Sequence, residues 1–118
     1  MEIKIKRVYE TPNKDDGKRI LVDRLWPRGL TKKRARIDLW LKDIAPSTDL
    51  RKWFGHDPKK WKEFSKRYNE ELKKNTKQIE MLENQVKKGT VTLLFGAKDA
   101  EHNEALLLQG FLSLNSKI

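Results

Sequence analysis

Arg19-Ile20-Leu21-Val22-Asp23-Arg24-Leu25-Trp26-Pro27-Arg28-Gly29 decides how this chain is read. Ile20, Leu21 and Val22 make a short apolar run of the kind that fills a buried strand. One carboxylate, two guanidinium groups and an indole follow at once, and Pro27 and Gly29 stop extended structure there. Charges that a core rejects are thereby set at the carboxyl end of a strand, where open α/β sheets bind ligands.

Downstream, Thr90-Val91-Thr92-Leu93-Leu94-Phe95 is the clearest second buried strand. Gly96-Ala97-Lys98 then turns the chain, with Asp99 expected to cap a final helix whose buried side carries Ala105, Leu108, Phe111 and Leu112. Upstream, Ile3, Ile5 and Val8 alternate with Lys4, Lys6 and Arg7, a strand pattern over residues 3–9. Thr11 to Gly17 is rich in turn formers and reads as an exposed loop. Thr31 suits the cap of a short helical turn through Ala35. Residues 37–41 fit strand alternation and helical spacing alike, with the balance toward strand or irregular structure.

Ser47 is a good helix cap ahead of the stripe Leu50, Trp53, Phe54, which Gly55 ends. Asp57-Pro58 opens a longer pattern through Trp61, Phe64, Tyr68 and Leu72, resumed at Ile79, Leu82 and Val86. Unbroken, that helix would run about 45 Å, far beyond the roughly 13 Å radius of gyration of a domain this size. A break is therefore expected at Lys73-Lys74-Asn75-Thr76. The order of elements predicts one compact α/β domain over residues 1–118, a small, largely parallel sheet flanked by helices.

Composition narrows the chemistry. The 118 residues contain no cysteine, which excludes disulfides, thiolate metal sites and a cysteine nucleophile. No stretch suggests a signal peptide or a membrane span, so a cytoplasmic protein without membrane partners is expected. The net charge of +10 favours acidic partners, either phosphorylated small molecules or nucleic acid, and a merely Lys-rich surface explains it equally well. The glycines form neither a dinucleotide fingerprint nor a phosphate loop, and no metal-ligand spacing occurs, so no cofactor is implied.

If the strands ending at Asp23 and at Phe95 are parallel neighbours, Asp23, Arg24, Arg28 and Lys98 converge on one crevice with the amides near Ala100 and Glu101. Such a crevice suits an anionic small molecule, a nucleotide among the candidates. Asn103 is a further ligand-contact candidate, or a cap. Were the protein an enzyme, Asp23 and His102 would be its acid and base. The alternative is nucleic-acid binding through Lys32, Lys33, Arg34 and Arg36, a cationic cluster that no acid interrupts. A protein-interaction domain without a ligand is the third reading. Oligomeric state is not legible.

Lys6-Arg7-Val8-Tyr9, Asp16-Gly17 with Arg19–Gly29, Ala45-Pro46-Ser47 with Leu50-Arg51, Phe64 with Tyr68 and Glu71-Leu72, and Leu93-Leu94-Phe95 with Ala97-Lys98 together span nearly the whole chain. In these elements the chain resembles the YeaO-like branch of the domain-of-unknown-function family numbered 488. The resemblance implies a small Rossmann-like α/β fold and attaches no activity to it. More distant members carry a Cys-His-Arg element about where Glu101-His102-Asn103 fall. Here the cysteine and arginine are missing, so the resemblance puts chemistry that depends on them in doubt and favours a binding protein or a degenerate relative.

Overall fold

The computed structural model describes residues 2–115. Four parallel strands, β1 (Ile3–Arg7), β2 (Lys18–Leu21), β3 (Leu39–Trp40) and β4 (Val91–Phe95), form one sheet in the order β1-β4-β2-β3. The last strand in sequence is thus central, pairing Ile3 to Arg7 with Val91 to Phe95 on one side and Lys18 to Leu21 with Val91 to Leu94 on the other. All five residues of β4 are buried, as its unbroken apolar run requires. β2 ends at Leu21, and one further bond to β4 follows, from Val22 N–H to the Leu94 carbonyl.

The helices are α1 (Lys32–Ala35), α2 (Thr48–Phe54), α3 (Trp61–Lys74), α4 (Thr76–Lys87) and α5 (Glu104–Asn115). Ser47 caps α2 through its hydroxyl, and Thr31 caps α1 likewise. Asp57 caps a 3₁₀ turn, Pro58–Lys60, that leads into α3. The long helical pattern breaks at Asn75, between α3 and α4, within the polar patch that predicted it.

The two faces of the sheet are covered unequally. Ile20, Val91, Leu93 and Phe95 point into the main core with Leu50, Phe54, Phe64, Tyr68, Leu72, Leu82 and Leu108 from α2 to α5. The alternate positions, Leu21 and Leu94, join Val8 in a small cluster covered by Trp26, Leu30 and Ile37. That second face also buries a charge network. Asp16 accepts from Lys6 Nζ, Arg19 Nη1 and the Asn13 amide, while its own carbonyl accepts from the Thr92 hydroxyl at 2.7 Å. Arg19 additionally donates to the carbonyls of Ala35 and Arg36, fastening α1 to the sheet. The loop predicted as exposed therefore contains a buried acid. Gly17, at φ +64°, lets the chain enter β2 so close to Thr90 that a Cβ would lie 2.2 Å from its carbonyl oxygen.

Candidate functional site

After β2 the chain leaves over the second face, toward Trp26 and Leu30, whereas after β4 it leaves over the first face into α5. Parallel neighbours whose connections depart to opposite faces open a crevice between their carboxyl ends. Asp23 spans this gap: its Oδ2 accepts from Gly96 N–H at 2.7 Å, tying the end of β2 to the end of β4. A Cβ at Gly96 would press on that same oxygen at 3.0 Å.

Aromatic donors hold the crevice wall. Trp40 Nε1 donates to the Asp23 carbonyl at 2.7 Å, Tyr9 Oη to the Arg28 carbonyl at 2.9 Å, and Trp26 Nε1 to the Leu30 carbonyl at 2.7 Å. The opposite wall is the segment before α2. Tyr68 Oη donates to the Ile44 carbonyl at 2.7 Å, and Glu71 accepts from both the amide and the hydroxyl of Ser47. Between the walls lies a cavity of about 240 Å³, lined among others by Asp23, Arg28, Arg51, Phe54, Phe64 and Glu104.

The predicted residues have different fates here. Asp23, Arg24, Arg28, His102 and Asn103 all line this cavity, and β2 and β4 are parallel neighbours as the shared-crevice argument requires. Lys98 is exposed and does not line it. Arg24 spends its guanidinium on the protein, donating to the carbonyls of Pro46 and Ala45 at 3.1 and 3.0 Å and facing Asp43. Asn103 is a cap: its amide donates to the carbonyls of Asp99 and Ala100, and its Oδ1 accepts from Leu106 N–H. Asp99 was expected to cap the last helix but instead closes the preceding turn, accepting from the amides of Glu101 and His102. The Glu101 amide is thus already bonded. His102 Nδ1 lies 2.7 Å from Asp99 Oδ2, and its ring meets Trp61 edge-on at 5.2 Å. The bond from the Glu101 amide, followed by that from His102, holds the Asp99 carboxyl below its ordinary value. Lys32, Lys33, Arg34 and Arg36 are exposed on and beside α1.

Two residues absent from the prediction complete the site. Glu104, 8% exposed, stands at the first position of α5 within hydrogen-bonding reach of Asp23. Burial first, then the charge of Asp23, pushes its carboxyl well above the usual range. Arg51, on α2, has no hydrogen-bond or ion-pair partner among the described residues, and neither has the Arg28 side chain. Among the described residues three buried side-chain atoms lack any partner: Arg51 Nε, Glu104 Oε1 and Gln85 Oε1. Two of the three belong to residues lining this cavity.

Glu104 was legible in principle, since it precedes Leu108 and Leu112 at four-residue spacing and so puts an acid on an apolar stripe. Arg51, beside Leu50 and one turn before Phe54, carries a weaker form of the same signal. No group of three or more His, Asp or Glu side chains among the described residues is arranged to hold a metal. No described helix is long and apolar enough to cross a membrane.

Comparison with known proteins places residues 2–117 on the family model described as the inactive DUF488-N3 subclade. The chain is similar to the uncharacterized protein YeaO of Escherichia coli (strain K12), at 43% identity over 112 residues, covering 95% of this chain and 97% of that one. It is also similar to the uncharacterized protein Rv3073c of Mycobacterium tuberculosis (strain ATCC 25618 / H37Rv), at 50% identity over 70 residues, 59% of each chain. A Mycobacterium bovis relative, Mb3100c, matches to the same extent, so the match spans 59% of the length of these mycobacterial proteins. No solved structure matches the chain significantly.

Proposed function

The chain belongs to the inactive DUF488-N3 subclade, and from that premise we propose that it binds a small anionic molecule at the carboxyl ends of β2 and β4 without transforming it. The observation that carries this reading is the Arg51 guanidinium, half-buried on the cavity wall and unpartnered among the described residues. A buried donor without a partner costs about 1–3 kcal/mol, more when charged, and a bound anion removes that cost. Arg28 reinforces the field from the rim, whereas Arg24 is already committed to carbonyls. The engagement of Asp23 with Gly96 further supports binding over acid–base chemistry.

The test is a thermal-shift titration with inorganic phosphate and a panel of phosphorylated metabolites. At a hundredfold excess over Kd, a ligand of the native state adds about 2.7 kcal/mol of stability. Arg51→Met is expected to weaken the response at least tenfold. The proposal fails if no anion raises Tm, or if the variant responds as the parent does.

One observation favours nucleic acid as a second reading: Lys32, Lys33, Arg34 and Arg36 are exposed, and none forms an ion pair among the described residues. Duplex DNA binding would then weaken with salt at a log–log slope of about −0.9 per neutralised phosphate. Arg51→Met would leave that slope unchanged.

A further inference from the structure

The anion reading accounts for Arg51 and leaves Glu104 unexplained. Its Oε1 is buried without a partner, although its residue lines the same cavity. Two carboxyl groups within hydrogen-bonding reach stay together only with a proton between them. That proton faces Asp23, whose Oδ2 is in turn held by the Gly96 amide. Oε1 is then left as an acceptor only, and a ligand satisfies it only by donating an N–H or O–H. A fully ionised anionic group cannot do so, and the charge on Asp23 repels it from this end of the cavity. The anionic part of the ligand therefore belongs beside Arg51 and Arg28, with its donor edge toward Glu104.

The cavity is also lined by aromatic rings. Phe54 and Phe64 stack at 4.2 Å and 18°, and both line the cavity together with Tyr9 and Trp26. Such walls suit a flat ring. The volume of about 240 Å³ is below the roughly 300–1,000 Å³ of sites for drug-sized ligands, so a ligand of that size would be held only in part.

Resting on the anion-binding reading, we propose that the cavity selects a small phosphate ester bearing a planar heterocycle with an N–H edge, the chemistry of a nucleoside monophosphate, and that the Asp23–Glu104 pair reads that edge. Glu104 Oε1 accepts from the ring, Asp23 fixes the orientation of Glu104, and Arg51 holds the phosphate.

Titration calorimetry on the full chain with GMP, AMP, ribose 5-phosphate and inorganic phosphate tests this. At least one of the two nucleotides is expected to bind ten or more times more tightly than ribose 5-phosphate. Glu104→Leu removes the acceptor and should shrink that ratio below threefold. Glu104→Gln keeps an acceptor oxygen, offers Asp23 an N–H in place of the shared proton, and should retain most of the ratio. Equal affinity for nucleotides and ribose 5-phosphate in the parent protein overturns the inference while leaving the anion site standing, and needs no variant to fold. A ratio that survives Glu104→Leu overturns it as well. If none of the four probes binds, the anion reading fails and this inference falls with it.

Discussion

Asp16 and Glu104 are both buried acids, 5% and 8% exposed, packed on opposite faces of one sheet. Asp16 is surrounded by donors: the Asn13 amide, the Arg19 guanidinium and the Lys6 ammonium. Burial works to raise its pKa, and these three bonds overcome it, leaving the carboxyl below its ordinary value. Glu104 has a second carboxyl for a neighbour and one oxygen with nothing to accept. A fold that satisfies one buried acid this fully has no general inability to satisfy another. The difference separates an acid that assembles the sheet face from an acid kept open beside a cavity.

The largest expected effect breaks the satisfied acid. Asp16→Ala strands the Arg19 guanidinium, whose side chain is only 5% exposed, and should cost about 3–5 kcal/mol, the usual penalty for removing one partner of a buried pair. Urea denaturation measures it, and a loss under about 1 kcal/mol would mean that the network contributes little. Glu104→Leu is expected to act in the opposite direction. Replacing an incompletely bonded buried acid by an apolar side chain of similar size should add about 1–3 kcal/mol. Destabilisation by Glu104→Leu as severe as that by Asp16→Ala would erase the contrast.

Acidity provides the finest probe, because the two shifts have opposite signs. Asp16 is lowered in the fold, so its contribution is complete above the unfolded value of about 3.9 and is lost as pH falls through the folded value. Glu104 is raised, so its contribution is complete below the unfolded value of about 4.3 and is withdrawn as pH rises through the folded value. Between those two values, the stability attributable to Glu104 should decline by up to about 1.4 kcal/mol per pH unit. Glu104→Gln should flatten the decline on the neutral side and leave the acid limb unchanged. Denaturation midpoints from pH 3 to 8 would show both limbs, and a variant whose profile parallels the parent's would refute the assignment.

The elements that were legible in sequence are those whose physics is local. β4 declared itself by five consecutive buried residues, α2 by the Ser47 cap and its stripe, and the α3–α4 break by the polar patch around Asn75. The crevice was legible because Asp23 and Arg24 directly follow an apolar run. What escaped depends on pairing across distance. Nothing near Arg24 in sequence shows that the carbonyls of Ala45 and Pro46 will take its guanidinium. Asp16 looked like a loop acid, although Arg19, placed beside Ile20 and Leu21, needed a buried counter-charge three residues away. Lys98 follows β4 closely, yet its side chain is exposed, since short range in sequence does not fix the direction of a side chain on a turn.

The strand order β1-β4-β2-β3 has its consequence in time. During vectorial synthesis β1 and β2 emerge first, yet they never pair with one another; each waits for β4, which lies beyond four helices. A nascent chain that ends at Lys87 has no strand beside β1, and β2 has only the two-residue β3. Sheet assembly is therefore a late event that closes long loops, the slow class of topology, and until β4 arrives the apolar edges of β1 and β2 are open to wrong partners.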